Sequence, residues 1–123
     1  MPPLELDQNN AKYQIRAYNS GMIRVNDQTL TTSIIISADH LIEDWAPRSV
    51  QELTPESFAA VLPLKPDVLL IGTGSQHILL PIELYGELIN QGIGVEVMDT
   101  GAACRTFNAL CSEYRRVVAA LII

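Results

Sequence analysis

Lys65-Pro66-Asp67-Val68-Leu69-Leu70-Ile71-Gly72-Thr73-Gly74-Ser75 reads as a turn, a strand and a second turn. Val68 to Ile71 is apolar at every position rather than at alternate ones, the pattern of a central strand covered on both faces. Further along, Gly94-Val95-Glu96-Val97-Met98 is a second strand, ending on Asp99-Thr100-Gly101. Between them Pro81 opens a helix with an apolar stripe of Tyr85, Leu88 and Ile89 that stops near Gly92. Strand, helix, strand in that order is a βαβ unit, which requires parallel strands.

Outward from this unit, Ala103, Phe107, Leu110, Cys111 and Tyr114 recur at helical spacing after Asp99, which with Thr100 is placed to cap the helix. Val117-Val118-Ala119-Ala120-Leu121-Ile122 is another doubly buried strand. Upstream, Thr54-Pro55-Glu56 opens a short helix through Leu62: threonine offers a cap oxygen and proline presets φ where no N–H is needed. Residues 13–36 read as a β-meander, with alternation in Tyr13–Tyr18 and Met22–Val25 and one β-branched run from Thr29 to Ile36; Leu41–Trp45 continues it. Residues 1–12 are polar and read as a flexible arm. The expectation is a three-layer α/β domain spanning residues 13–123: a mixed central sheet with helices packed on it and an antiparallel β portion at the front.

With 123 residues there is room for one core, and such a core needs no staple. A net charge of −6 with only eight basic residues argues against nucleic acid, which demands clustered Lys and Arg. The pair Arg115-Arg116 reads as charge complementing a helix C-terminus. Cys104 and Cys111, seven apart on a helix, lie roughly 10 Å apart by helix rise, too far for a disulfide, and read as reduced thiols. Met1–Asp7 has no leader character, and Val117–Ile123 is too short to cross a bilayer. The expected compartment is the cytoplasm.

Two loops carry candidate chemistry. Gly72, Thr73, Gly74 and Ser75 follow a buried strand, where small residues let amides approach a ligand; the other reading is a tight turn. A full dinucleotide site is disfavoured, because His77 replaces the third glycine and the helix starts late. Asp99, Thr100, Gly101, Arg105, Thr106 and Asn108 surround the start of the next helix; the alternative is a helix cap with Arg105 bonded locally. Side by side, the loops would form one polar rim with amide hydrogens facing solvent, suited to an anion or small molecule. His40 and His77 lack partners at metal-ligand spacing, so no metal is expected, and no cofactor is implied. Ser75, His77 and Asp99 do not make a triad, since no nucleophile elbow surrounds Ser75. Cys104 near a helix start is either an activated thiolate or a small buried side chain.

Leu69-Leu70-Ile71-Gly72-Thr73-Gly74 together with Gly92-Ile93-Gly94-Val95-Glu96-Val97-Met98-Asp99-Thr100-Gly101-Ala102-Ala103-Cys104-Arg105-Thr106-Phe107-Asn108 resembles a bacterial and archaeal family related to mitochondrial complex I (NADH dehydrogenase) assembly factor three. The resemblance runs from about the first hairpin to the end of the chain. It implies a three-layer α/β fold and a role exercised through protein contacts, respiratory complex I subunits among them, and it supplies no catalytic residues. Together with the missing nucleophile and metal sets, it favours a non-enzymatic assembly or scaffold factor over a small-molecule or anion-binding domain. It leaves homo-oligomers and peripheral membrane contact open.

Overall fold

Eight strands and two α-helices make up residues 11–123, the part that the computed structural model describes. β1 (Ile15–Asn19), β2 (Met22–Val25) and β3 (Gln28–Leu30) form an antiparallel sheet. β4 (Ile34–Ser37), β5 (Leu41–Ile42), β6 (Val68–Gly72), β7 (Gly94–Met98) and β8 (Val117–Leu121) form a second sheet in the order β5-β4-β8-β6-β7. β6 lies parallel to both β7 and β8, whereas β4 runs antiparallel to β8 and β5. The sheet is therefore mixed, with β8 at its centre.

Side-chain alternation sorts the apolar residues to two faces. Ile34, Ile36, Leu70, Ala119 and Leu121 meet α2 (Thr100–Ser112) and the three-stranded sheet, with Phe107 and Ile23 fully buried between them. Ile35, Leu69, Ile71, Val118 and Ala120 face the other way, onto Phe58, Val61, Trp45 and Leu88. Trp45 is fixed there by its ring against Phe58, centroids 5.8 Å apart, and by its Nε1–H donating to the Ser57 carbonyl at 2.9 Å. Three layers result, as the alternating pattern requires.

Several local expectations need correction. The run Thr29–Ile36 is two strands in different sheets, broken at residues 31–33, so that the chain can cross between sheets while Ser33 accepts the Trp45 amide. Leu41–Trp45 keeps only two residues of strand, because Asp44 turns to a positive φ of 62°. The helix at Pro55–Leu64 is a 3-10 helix; Pro63 inside it has no N–H to donate to an α-helical ladder. The Pro81 helix is two short pieces, a 3-10 turn at Ile82–Leu84 and α1 (Gly86–Asn90), separated at Tyr85 with φ −134°. Of its expected stripe only Leu88 is buried, Tyr85 is half-buried, and Ile89 is exposed. Arg116 leans on Asp67 at 3.8 Å rather than on a helix end, and both are exposed, so the pair contributes little. The expected arm falls outside the described residues except for its last two, where the Lys12 amide donates to the Ala38 carbonyl at 2.8 Å.

Candidate functional site

The two sequence-marked loops do lie side by side, at the ends of parallel β6 and β7. What joins them is a set of short hydrogen bonds centred on Thr100, which is fully buried. Its hydroxyl donates to the Ile122 carbonyl at 2.6 Å and accepts the Gly74 amide at 2.8 Å, while its own amide donates to the Gly74 carbonyl at 2.9 Å. Thr73 does the same one step earlier. Its amide donates to the Met98 carbonyl, its hydroxyl donates to the Gln76 carbonyl at 2.6 Å, and that hydroxyl accepts the Ile78 amide. Gly72 is the point of closest approach, since a Cβ there would sit 2.8 Å from Thr100 Oγ1 and 3.0 Å from Thr100 Cα. Gly74 supplies a positive φ of 102°, which a side chain rarely tolerates. Ser75 is exposed beyond this knot.

The amide hydrogens expected to face solvent are thus turned inward. α2 begins in the same manner: Asp99 is its N-cap, with Oδ1 accepting the Ala102 amide at 2.9 Å. The 13-residue helix forms because that cap starts it and Phe107, Ala103, Cys104 and Cys111 bury one stripe, which offsets weak helix formers such as Thr100, Gly101, Thr106 and Asn108.

The remaining site residues face elsewhere. Gly101, Arg105 and Asn108 line a recess of about 180 Å³ between α2 and β1, whose other wall is Ile15, Arg16 and Tyr18. Asn108 clamps β1 from the side: its Nδ2 donates to the Ile15 carbonyl at 2.7 Å and its Oδ1 accepts the Ile15 amide at 3.3 Å. Thr106 turns its hydroxyl to the Met98 sulfur at 3.6 Å. Among the described residues the Tyr18 hydroxyl is buried without a hydrogen-bond partner. Burial, reinforced by Cys104 and Asp99, holds its phenol above the ordinary value.

Arg16 and Tyr18 were not legible as part of this recess, because they lie far upstream in a strand whose edge α2 covers only once the chain is folded. Both cysteines are free and buried. Burial pushes the Cys104 thiol up to about 12 and Cys111 to about 11, so both are protonated at neutral pH and the helix start does not activate Cys104. Among the described residues no three His, Cys, Asp or Glu side chains are grouped as metal ligands would be.

A mixed five-stranded sheet carrying a helix and a small antiparallel sheet on one face, and short helices on the other, defines the class: a three-layer α/β domain. The chain belongs to the family described as "Protein of unknown function (DUF498/DUF598)", which matches residues 15–122. It is 34% identical over 110 residues to the human protein named NADH dehydrogenase [ubiquinone] 1 alpha subcomplex assembly factor 3, an alignment covering 88% of this chain and 59% of that one. The chain thus spans about three fifths of the length of that relative. A Francisella tularensis protein named 13 kDa major membrane protein is 27% identical, over 99% of this chain and 100% of its own. The solution structure of a Xanthomonas campestris protein superposes with a TM-score of 0.82 at 38% identity, covering 98% of this chain and 92% of that one. No helix among the described residues is long and apolar enough to cross a membrane.

Proposed function

We propose that this chain is a non-enzymatic assembly factor that works through protein contacts, its partners being subunits of a respiratory NADH dehydrogenase bound before or during their assembly. The observation that supports this most is the likeness to the human assembly factor, which extends over 88% of the chain. The hydrogen-bond geometry agrees with it: at the strand ends, where an open α/β sheet offers amides to a ligand, Thr73, Gly74, Thr100 and Ala102 spend theirs on the fold. The cytoplasmic face of an energy-coupling membrane is the compartment this reading implies. Tagged protein recovered from a native extract of the source cells should be enriched in NADH dehydrogenase subunits by mass spectrometry. Recovery of none above an untagged control overturns the proposal.

A second reading, a small-anion site, draws on the recess rather than on the rim. Arg16 and Arg105 both line it, and the buried Tyr18 hydroxyl borders it. Gly72, Thr73, Gly74, Thr100 and Asp99 serve this reading only by shaping the loops. Since Arg105 is exposed, Arg105→Ala should leave the melting temperature within about 2 °C of wild type. If the recess holds anions, phosphate titrated by NMR should shift the Gly101 and Arg16 amides in wild type and not in the variant. Identical titrations in both would dismiss it.

A further inference from the structure

Four of the six exposed large apolar side chains among the described residues lie in the segment between β6 and β7. It leaves β6 through the Thr73 knot, runs without regular structure to Pro81, and then makes two short helical pieces that bury Leu88 and half-bury Leu84 and Tyr85 but leave Ile82 and Ile89 exposed. Leu79 is 84% exposed, Ile82 58%, Ile89 43% and Ile78 37%. All four fall within twelve residues of this one segment. Ile78 and Leu79 lead into Ile82, whose Cγ1 lies 3.8 Å from where a Gly86 Cβ would be, and Ile89 is one helical turn beyond Gly86. These four aliphatic groups, a row along one stretch of chain beside the layer that covers Leu69 and Ile71, stay exposed to water.

The charge within this segment is one-sided. Residues 66–104 contain no Lys or Arg. Glu83 and Glu87, four residues apart and both exposed, lie along the chain between Ile82 and Ile89, and the one side-chain hydrogen bond that either makes among the described residues is Gln91 Nε2 to Glu87 Oε2 at 3.4 Å. Of the basic residues, Arg16, Arg24 and Arg105 lie on the opposite face of the five-stranded sheet, with β1, β2 and α2, while Arg48 and Lys65 belong to the stretch whose Trp45, Phe58 and Leu64 pack on the same face as this segment.

From the juxtaposition of the Ile78–Leu79–Ile82–Ile89 row with Glu83 and Glu87, we infer a docking face for an amphipathic segment of a protein partner, one that presents aliphatic side chains flanked by Lys or Arg. This rests on the assembly-factor reading and adds to it the chemistry of the partner. A second copy of this chain would set Glu83 and Glu87 against their equals, which repels. An anionic lipid surface would be repelled likewise. A basic amphipathic segment satisfies both halves of the face, the aliphatic row by burial and the carboxylates by charge.

The test uses the whole chain and two synthetic amphipathic helices with the same leucine stripe, one flanked by lysines and one by glutamates. The lysine peptide should bind, more weakly as salt rises, and the glutamate peptide should not. Leu79→Ser/Ile82→Ser and Glu83→Lys/Glu87→Lys should each weaken binding at least about tenfold, with melting temperatures close to wild type because all four sites are exposed. Glu43→Lys/Glu113→Lys makes the same change in net charge at exposed positions off the row and should bind like wild type. Equal loss in that control, equal binding of both peptides, or no effect of the Leu79 and Ile82 substitutions overturns the inference. So does a dimer in sedimentation, or binding to anionic vesicles, that the same substitutions abolish. Recovery of NADH dehydrogenase subunits that is unchanged by these substitutions would leave the assembly role standing and place its partner elsewhere. Peptide binding without such recovery would do the reverse.

Discussion

Thr100→Val should lower the melting temperature by on the order of 10 °C, the loss of roughly 2–4 kcal/mol for a chain of this size. Valine has nearly the shape of threonine, so packing barely changes. What is lost is one hydroxyl that both donates to the Ile122 carbonyl and accepts the Gly74 amide in a fully buried place. Each abandoned backbone group keeps its desolvation cost with nothing to offset it. Thr100→Ser keeps the hydroxyl and should recover most of the loss. Thermal unfolding followed by circular dichroism decides the matter: a valine variant as stable as the serine one would mean that the hydroxyl bridge does not hold the β6, β7 and β8 ends together.

Gly72→Ala should cost about 3 kcal/mol, near the upper end of what overpacking costs. The added methyl group would meet Thr100 Oγ1 at 2.8 Å, Leu121 Cδ2 at 3.0 Å and the Thr100 Cα at 3.0 Å. The leucine methyl can move, but the Cα belongs to the first turn of α2 and cannot move alone. Two neighbours that press on each other should not be additive. In a Thr100→Ala background one of the three contacts is gone, so Gly72→Ala should cost at least about 1 kcal/mol less there. Denaturant titration of the four proteins of this cycle gives the coupling, and strict additivity would refute the close approach.

These two positions also measure how far the sequence could be read. The doubly apolar runs at Val68–Ile71 and Val117–Ile122 marked central strands, since they are too short for a buried helix and the first is bounded by Pro66 and Gly72, and β6 and β8 stand at the middle of the sheet. Asp99 marked the start of α2 because an N-cap is a local device with a local signature. The Thr29–Ile36 run hid a change of sheet, because β-branched residues suit either sheet and the three-residue break carries no glycine or proline. Pro81 announced a helix that the fold cuts short at Tyr85.

At the candidate loops the residues were legible and their direction was not. A glycine-rich turn beside a capped helix has the same sequence whether its amides point at a ligand or at the neighbouring loop. Only the position of Ile122, a long way down the chain, turns Thr100 inward. Arg16 and Tyr18 entered the recess on the same terms, through a strand that Asn108 holds from the side.

β8 has a consequence for biosynthesis. It is the last of the eight strands to leave the ribosome, yet β4 and β6 share no ladder except through it. Until Val117–Leu121 emerges, the nascent chain carries two unjoined half-sheets, each with a bare hydrogen-bonding edge and with inner faces that have nothing to close them. Closure of the five-stranded sheet therefore waits for Val117–Leu121, and a chain truncated before Val117 should expose both edges to chaperones and proteases.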